Sequence, residues 1–494
     1  MLKLNTISDL LQASGLLIAQ SDGQSEVWID HLSEDSRQIH ENGLFVAVRG
    51  AQADGHRFLE KAVSNGAKIV VVEDASASIP ENTAWVQVSN ARAACARLSA
   101  ALFQHPARSL KLIGVTGTNG KTTSTFLIHQ MLQALGEKAG LIGTIEYRIG
   151  DEAVESTHTT PDAYRVNQMW QNMVDAGCSV CVMEVSSHAL DQYRVLGEDF
   201  DMAVFSNLTH DHLDYHGTLE AYLGAKKMLF DDLLPDGFAL TNVDDAAGEA
   251  IVSGTAANII RYGQHSTADF RFEILEDRIQ GLRMMIDGVS TSFRLVGAFN
   301  AYNLTAAYSV GRALGYAKDD VLAALSELPP VRGRFEQLFF SNGVTAIVDY
   351  AHTPDALENV LETIESTKAE FGKVWCIFGC GGDRDPKKRP VMGKIAESFA
   401  DYPVITNDNP RTEDPMQIIR EVHAGFEHPD RATVQPDRRA AIQHAVSHAR
   451  AEDVILIAGK GHETYQIIGT EKQHFDDREE ILLAFADRGI HPVP

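Results

Sequence analysis

One short segment, GVTGTNGKTTST at 114–125, constrains the fold and the chemistry of this chain more than any other. An apolar, β-branched run at Leu110–Val115 precedes a glycine-rich turn, and Lys121 opens an amphipathic helical pattern. Such a strand, loop and helix lets backbone N–H groups approach a polyphosphate, with Lys121 reaching its β- and γ-phosphates and Thr122 binding Mg²⁺. Val115 stands where the strict motif has its first glycine, but the flanking strand and helix favour nucleotide binding over an ordinary βα turn.

Composition narrows the class of protein. A length of 494 residues predicts about three domains, and 44% hydrophobic and 22% charged residues are typical of a soluble globular protein. The formal charge of −25 argues against nonspecific nucleic-acid binding, which needs a basic surface. The sequence has neither an apolar run long enough to span a membrane nor a basic-then-apolar start. We therefore expect a cytoplasmic protein without a membrane span.

The five cysteines admit two interpretations. Cys178 with Cys181, and Cys376 with Cys380, have spacings that occur in zinc half-sites. However, these pairs lie in or beside apolar runs that are typical of buried parallel strands, where free cysteine behaves as a small hydrophobe. We favour the second interpretation, and we expect no disulfides in a reducing compartment.

The order of apolar and polar segments predicts an α/β protein with three domains: a small N-terminal α/β domain (1–90), a central P-loop domain with a mainly parallel sheet (91–331), and a C-terminal Rossmann-like α/β domain (332–494). A proline pair at 329–330 interrupts a helical pattern and indicates a linker over 325–336. The predicted strands are Gly43–Val48, Lys68–Glu73, Ala84–Val88, Lys111–Val115, Ala139–Ile142, Val180–Val185, Met202–Ser206, Phe238–Asn242, Val344–Asp349, Lys373–Gly379, Pro403–Thr406 and Val454–Ala458.

Two polar segments follow predicted strands of the central domain. Glu184 ends an apolar strand, where a carboxylate could hold Mg²⁺ beside a nucleotide, although such a residue is more often a cap or a surface residue. Segment 206–217 carries three histidines and two aspartates within seven positions, which favours a metal or phosphate site over an ordinary polar loop. The spacing does not indicate which histidine acts.

The helix predicted after Thr218 contains two adjacent lysines that helical geometry separates. Lys226 lies on the same face as the apolar residues, whereas Lys227 is turned about 100° away. Lys226 could extend along this face to reach solvent. Alternatively, burial could lower its pKa, and the neutral amine could react with CO₂ to form a metal-binding carbamate. Both interpretations remain open at this point.

Four polar loops follow strands in the last third of the chain. They are DYAHTPD (349–355), GCGGDRD (379–385), TNDNPRTEDP (406–415) and AGKGHETYQ (458–466). Loops of parallel sheets that follow the carboxyl ends of strands are the usual ligand-binding loops. We therefore predict a second binding site there, and we do not interpret GKG at 459–461 as a second nucleotide site because no helix-opening GK[ST] follows.

Taken together and in order, these segments resemble the Mur ligase family. The resemblance extends through the whole chain and is carried by DSR (35–37), GTNGKTT (117–123), TTP (159–161), MEVSSH (183–188), DHLDYHG (211–217), GAFN (297–300), GRFE (333–336), DYAHTPD, GGDRD, DNPR (408–411) and GKGHE (459–463). DNPR resembles the loop of members that add meso-diaminopimelate. The resemblance implies an ATP- and Mg²⁺-dependent ligase that adds meso-diaminopimelate to UDP-N-acetylmuramoyl-L-alanyl-D-glutamate through an acyl-phosphate, as a cytoplasmic monomer in peptidoglycan precursor synthesis.

The resemblance also implies roles for residues of the nucleotide site. ATP would contact Gly117, Thr118, Asn119, Gly120, Lys121, Thr122, Thr123, Asn300, Arg334, Asp349 and His352. Mg²⁺ would be held by Thr122, Glu184, His212 and the carbamate of Lys226. Catalysis would rest on Lys121, Glu184, His212 and Lys226.

The other two substrates have their own implied sets. The UDP-sugar dipeptide would contact Glu34, Ser36, Ala51, Gln52, Ala53, His158, Thr159, Thr160, Ser186, Gln192 and Arg194, which makes 1–90 a UDP-sugar-binding domain. The incoming amino acid would contact Arg384, Asp408, Asn409, Pro410, Arg411, Gly459 and Glu463. The residues do not identify the base that deprotonates the incoming amine.

Three alternatives remain at this stage. A lysine-adding relative and a folylpolyglutamate synthase belong to the same superfamily, and a P-loop NTPase switch would use the same loop for another purpose. A switch hydrolyses nucleotide without a third substrate, whereas a ligase releases ADP only when both other substrates are present.

Overall fold

The structure is a computed structural model that describes residues 1–21, 26–50, 53–74 and 76–493. These residues form two compact units, Met1–Arg271 with Asn303–Val321, and Phe272–Tyr302 with Leu322–Pro494. The first unit contains both the N-terminal and the central sheet, and the second contains the C-terminal sheet. The domain limits at 90 and 331 remain predictions.

The N-terminal sheet buries short apolar strands against helices on both faces. Its elements are β1 (Leu2–Lys3), α1 (Leu4–Ala13), β2 (Leu17–Gln20), β3 (Trp28–Ile29), β4 (His31–Ser33), β5 (Gly43–Val46), α2 (Leu59–Asn65), β6 (Ala67–Val72), β7 (Ala84–Val88) and α3 (Ala91–Leu102). The five-stranded sheet has the order β2-β7-β6-β5-β4, and within it only β2 is antiparallel to its neighbour. β1 and β3 form a separate antiparallel pair. The three strands predicted here are confirmed as β5, β6 and β7.

The central sheet surrounds the glycine-rich loop. Its elements are β8 (Lys111–Thr116), α4 (Lys121–Ala134), β9 (Ala139–Ile142), β10 (Glu146–Ile149), β11 (Glu152–Glu155), α5 (Ala163–Asp175), β12 (Val180–Glu184), α6 (Ser187–Asp191), β13 (Met202–Phe205), α7 (Leu213–His216), α8 (Leu219–Asp231), β14 (Phe238–Asn242), α9 (Gly248–Ile251) and β15 (Asn258–Gly263). The order is β11-β10-β9-β12-β8-β13-β14-β15, parallel from β9 to β15. The predicted mainly parallel sheet is confirmed, with β8 between β12 and β13.

Residues 270–326 form three further strands and two helices. They form β16 (Phe270–Arg278), β17 (Gly281–Ile286), β18 (Val289–Phe293), α10 (Ala298–Ala313) and α11 (Lys318–Ser326). β17 pairs antiparallel with both β16 and β18. The sequence predicts no strand here, because each of these strands has charged or polar residues among its apolar ones and none resembles a buried parallel strand.

The second unit is built on a mostly parallel seven-stranded sheet. Its elements are β19 (Glu336–Phe340), β20 (Thr345–Asp349), α12 (Pro354–Thr367), β21 (Val374–Phe378), α13 (Lys388–Phe399), β22 (Tyr402–Ile405), α14 (Pro415–His423), β23 (Thr433–Val434), α15 (Arg438–His448), β24 (Val454–Ala458), β25 (Tyr465–Ile468), β26 (Glu471–His474), α16 (Asp477–Ala486) and β27 (Pro492–Val493). The order is β23-β22-β21-β24-β20-β19-β27. β25 and β26 form a separate hairpin.

The carboxyl ends of β20, β21, β22 and β24 lie side by side, because these four strands are parallel neighbours. The four polar loops therefore leave the sheet at one edge, as predicted. No helix among the described residues is both long enough and apolar enough to cross a membrane.

Candidate active site

The loop between β8 and α4 requires glycine at two positions. Gly117 has φ +149°, and a Cβ atom there would lie 1.9 Å from Oγ of Ser206. Gly120 has φ +84°, and a Cβ atom there would lie 2.5 Å from Oδ1 of Asn303. Both the positive φ and the lack of space exclude a side chain. This loop and the first turn of α4 contain the seven residues predicted to bind phosphate: Gly117, Thr118, Asn119, Gly120, Lys121, Thr122 and Thr123.

The two functional side chains of the loop have different surroundings. Lys121 lies over the loop, and its Nζ donates to the carbonyl oxygens of Gly117 at 2.9 Å and of Thr118 at 2.7 Å. Thr122 is buried, and its hydroxyl donates to Oε2 of Glu184 at 3.0 Å. The P-loop is thereby connected to the end of β12.

Glu184 is fully buried at the carboxyl end of β12, and its carboxylate accepts several hydrogen bonds. Thr144, just after β9, donates its backbone N–H to Oε1 at 2.7 Å and its hydroxyl to Oε2 at 3.1 Å. The Thr144 hydroxyl also lies 3.0 Å from that of Thr159. Glu184 is therefore a buried residue that is hydrogen-bonded to the P-loop and not a surface residue, and Thr144 is a contact that the sequence did not predict.

Lys226 lies on the buried face of α8, as the helical pattern predicts. Its side chain is only 1% exposed, whereas Lys227 is partly exposed and pairs with Asp231. The Lys226 Nζ donates to the Gly117 carbonyl at 2.7 Å and lies 4.3 Å from the centre of the Tyr222 ring. Burial and the nearby Lys121 ammonium hold the pKa of Lys226 well below its ordinary value. A lysine in this position favours the neutral amine.

A group of histidine and tyrosine rings surrounds the segment after β13. The ring of His188 lies 4.8 Å from that of His212 and 5.5 Å from that of His216. Tyr215 contacts His188 at 4.3 Å between ring centres. Burial, with the nearby imidazoles, lowers the pKa of His188 to about 4, so its ring is neutral near pH 7. Of the three histidines in 206–217, His212 and His216 join this group.

Four of the predicted dipeptide-binding residues of the central domain form one hydrogen-bonded chain: Thr160, Ser186, Gln192 and Arg194. The Thr160 hydroxyl donates to the Glu184 carbonyl at 2.8 Å and accepts from the Ser186 N–H at 3.1 Å. Arg194 donates to the Thr160 carbonyl, and its Nη2 donates to Oε1 of Gln192 at 2.8 Å. This set is therefore continuous with the Glu184 carboxylate.

The remaining members of the dipeptide set are more dispersed. Glu34 is close enough to Arg194 for their charges to interact. Ser36 is buried, with its carbonyl accepting a hydrogen bond from Asn65, and His158 is exposed at the surface. Ala53 is exposed beside the N-terminal sheet, whereas Ala51 and Gln52 lie outside the described residues.

Four predicted nucleotide contacts lie in the second unit. Asp349 ends β20, and its carboxylate accepts from the Phe335 N–H at 2.6 Å and the Ala351 N–H at 2.7 Å. Burial raises the pKa of Asp349, and the Arg334 charge opposes this rise. The Arg334 guanidinium lies over the Tyr350 ring at 4.7 Å. The other two members are Asn300, which donates to the Val296 carbonyl, and His352, whose Nδ1 lies 2.9 Å from the Tyr350 carbonyl oxygen.

The DNPR loop is held against the β25 strand. Arg411 has φ +51°, which is strained for a residue with a side chain. Its N–H donates to the Ile467 carbonyl at 3.1 Å, and its carbonyl accepts from the Gly469 N–H at 2.8 Å. The Arg411 Nη1 donates to the Gly382 carbonyl at 2.8 Å. These contacts keep the guanidinium half-buried beside the loop that follows β21.

Asn409 and Glu463, both predicted to bind the amino acid, contact each other. Asn409 Nδ2 donates to Oε2 of Glu463 at 2.9 Å. Lys460 is fully buried, and its Nζ donates to the same Oε2 at 3.2 Å and to Oδ1 of Asn409 at 3.1 Å. Gly459 brings β24 close to the DNPR loop, since a Cβ atom there would lie 2.5 Å from Oδ2 of Asp408.

Two buried arginines donate hydrogen bonds to backbone carbonyls in or beside these loops, and neither was predicted from the sequence. Arg389 pairs with Glu413 and donates to the Gly381 carbonyl at 3.3 Å. Arg438 pairs with Asp477 at 2.7 Å, with both side chains fully buried. Arg438 also donates to the Ala458 carbonyl at 2.9 Å and to the Asn407 carbonyl at 3.4 Å. The remaining predicted members lie in the supported loops, Pro410 being buried and Arg384 exposed.

Two of the four missed residues share a weak sequence signal. Thr144 and Lys460 each come within two residues of the end of a buried strand, a position that a systematic search of strand ends would examine. Arg389 and Arg438 lie at the starts of helices and resemble ordinary surface arginines in sequence.

The cysteines lie in the apolar interior, as predicted. All five are free and buried, with Cys181 in β12 and Cys376 in β21. Among the described residues, one group of side chains has metal-ligand spacing: Asp30, His31 and His40. Both ring nitrogens of His31 are occupied, since Nδ1 lies 2.7 Å from the Asp30 carboxylate and Nε2 accepts the His40 N–H at 3.2 Å.

A glycine-rich P-loop and polar loops at the carboxyl ends of two mainly parallel sheets are typical of nucleotide-dependent enzymes, and the chain belongs to the Mur ligase family. Three family models match it: the Mur ligase family catalytic domain at 29–103, the Mur ligase middle domain at 115–311, and the Mur ligase glutamate ligase domain at 333–461. The chain thus has the three-domain α/β fold of this family.

Individual relatives match nearly the whole chain. A UDP-N-acetylmuramoyl-L-alanyl-D-glutamate–2,6-diaminopimelate ligase of Cytophaga hutchinsonii is 45% identical over 479 residues, which are 96% of this chain and 97% of that protein. A solved structure of a ligase with the same name is 33% identical, with a TM-score of 0.68, and covers 95% of this chain and 98% of its own. A MurF ligase from Thermotoga maritima in complex with ADP is 18% identical, has a TM-score of 0.61, and covers 92% and 97%, so it shows the fold alone.

Proposed function

We propose that this chain is an ATP-dependent acid–amino-acid ligase that adds meso-diaminopimelate to UDP-N-acetylmuramoyl-L-alanyl-D-glutamate. The observation that carries the amino-acid choice is the grouping of Arg411, Asn409 and Glu463 around the DNPR loop. A guanidinium, an amide and a carboxylate together match an amino-acid centre that bears both a carboxylate and an ammonium group. The relatives with this name support the same assignment.

In the proposed reaction, ATP transfers its γ-phosphoryl group to the γ-carboxylate of the D-glutamate residue, releasing ADP and forming an acyl-phosphate. The diaminopimelate amine then attacks the carbonyl carbon, and phosphate leaves as the amide bond forms. Lys121 and the loop N–H groups stabilise negative charge on the phosphates. The chain of Thr160, Ser186 and Arg194 holds the dipeptide beside the end of β12.

The residues at the end of β12 fit a magnesium ion, because carboxylate and hydroxyl oxygens are its preferred ligands. Glu184 and Thr122 supply such oxygens, and His212 lies in the adjoining ring group. The neutral amine favoured at Lys226 is the form that reacts with CO₂, so a carbamate there would add one more carboxylate to the set. Mg²⁺ bound by these groups would neutralise charge on the transferring phosphoryl group.

The proposal includes the domain assignment: 1–90 for the UDP-sugar, 91–331 for ATP, and 332–494 for the amino acid. It also includes a monomeric, cytoplasmic enzyme of peptidoglycan precursor synthesis. The test is ADP release from the purified chain with ATP, Mg²⁺ and the UDP-sugar dipeptide, with each candidate amino acid added in turn. Release that requires meso-diaminopimelate is expected. Release without any amino acid would favour an NTPase, and equal release with L-lysine would favour a lysine-adding relative.

A further inference from the structure

Lys460 is a buried cation that the proposed reaction does not use, and it lies directly behind the amino-acid loops. Lys460 is 0% exposed, although its neighbours Gly459 and Glu463 are both predicted substrate contacts. We propose that Lys460 is a positioning residue that sets the orientation of Glu463 and Asn409 and thereby the enzyme's affinity for the amino acid. This inference rests on the proposed function.

The geometry of the triad formed by Lys460, Asn409 and Glu463 carries the proposal. Lys460 Nζ donates to Asn409 Oδ1 and to Glu463 Oε2, and Asn409 Nδ2 donates to the same Oε2. Each member therefore contacts the other two. Asn409 Oδ1 also accepts the Ile467 N–H at 2.9 Å, which attaches the triad to β25.

The triad orients the carboxylate of Glu463. Its Oε2 accepts two hydrogen bonds, whereas Oε1 has no hydrogen-bond partner in the described part of the chain. The side chain is 14% exposed, so the carboxylate is not fully enclosed. Oε1 is thus the acceptor that is available for an incoming ammonium group, and the fixed Oε2 determines where Oε1 points.

The charge of Lys460 matters as much as its position. A partly buried carboxylate without a cation is costly in a low-dielectric environment, and removing one partner of a buried ion pair leaves the other uncompensated. Without Lys460, Asn409 is the remaining donor to Glu463 Oε2 in the triad. We therefore expect the carboxylate to lose its fixed orientation, while the P-loop and the dipeptide-binding chain, which belong to the other unit, keep their own contacts.

The test compares Lys460→Met, which keeps an unbranched side chain of similar length and removes the charge, with Lys373→Met as a matched control. Lys373 is an exposed lysine of the same domain that pairs with Asp401 at the surface. In Lys460→Met we expect the KM for meso-diaminopimelate to rise roughly tenfold or more, which corresponds to one charge-assisted hydrogen bond. The KM values for ATP and for the UDP-sugar dipeptide should change less than about twofold, as all three should in Lys373→Met.

A double-mutant cycle with Glu463→Gln distinguishes positioning from general support of the fold. If Lys460 acts through Glu463, adding Lys460→Met to Glu463→Gln produces little further change in the KM for meso-diaminopimelate. Independent, multiplicative effects, or an equal loss for all three substrates, would overturn the proposal. If Lys460→Met does not fold, as judged by thermal unfolding, Lys460→Gln replaces it in the same cycle, since its amide retains a donor for the triad.

The unmodified chain supplies the separate test of the proposed function. If it does not use meso-diaminopimelate, the proposed function fails. If it does and the cycle is additive, only the role of Lys460 fails.

Discussion

Replacing Arg411 by lysine tests the choice of amino acid most directly. Arg411 Nη1 is bonded to the Gly382 carbonyl at 2.8 Å, so one side of the guanidinium is fixed by the protein. Its Nε and Nη2 atoms have no hydrogen-bond partner among the described residues. They form a planar pair of donors that matches a carboxylate.

The expected loss follows from the number of hydrogen bonds. A bidentate contact between this pair of donors and the second carboxylate of diaminopimelate comprises two charge-assisted hydrogen bonds, of which lysine retains at most one. One such bond is worth about 1.5–3 kcal/mol, so Arg411→Lys should lower kcat/KM for meso-diaminopimelate roughly tenfold to hundredfold. Arg411→Ala should lose more. The unmodified enzyme should reject L-lysine for the same reason, because its missing carboxylate leaves the guanidinium unpaired.

The assay is the steady-state rate of ADP release with saturating ATP and UDP-sugar dipeptide and with varied amino acid. Arg420→Lys is the control, because Arg420 is 65% exposed and pairs with Asp414 at the surface of the same domain. We expect it to change kcat/KM by less than about twofold. Unchanged kcat/KM for meso-diaminopimelate in Arg411→Lys, or similar values for L-lysine and diaminopimelate in the unmodified enzyme, would refute the reasoning.

Three further predictions concern other parts of the chain. Lys121→Ala should lower turnover by several orders of magnitude with the fold intact, and near-normal turnover in a folded variant would remove the phosphate-binding assignment. Lys226→Ala should be nearly inactive and partly rescued by formate or acetate, whereas Lys227→Ala should be mild; a crystal structure of the active enzyme with an unmodified Lys226 amine would contradict the carbamate. Arg438→Met should destabilise folding by about 3–5 kcal/mol in urea titrations, because it leaves Asp477 buried without its cation; a loss below about 1 kcal/mol would count against that reasoning.

The amino-acid sequence alone determined the local parts of this protein. The glycines at 117 and 120 are required by backbone conformation, and the P-loop helix begins at Lys121 as predicted. Helical periodicity alone separated the buried Lys226 from the partly exposed Lys227. Apolar runs likewise predicted the parallel strands and hence the polar loops at their ends. Each of these features depends on neighbours within a few residues, which a sequence displays directly.

Only the tertiary structure decided which distant side chains meet. Thr144 and Glu184 are 40 residues apart, Asn409 and Lys460 are 51 apart, and Arg438 is 39 from Asp477. These contacts depend on strand order and register, and no local pattern encodes which strand becomes the neighbour of another. The antiparallel strands after residue 269 were not predicted, because their polar residues do not form an apolar run. These strands are recognisable only from their pairing with one another. A buried lysine such as Lys460 is recognisable only when the carboxylate that compensates its charge has been located.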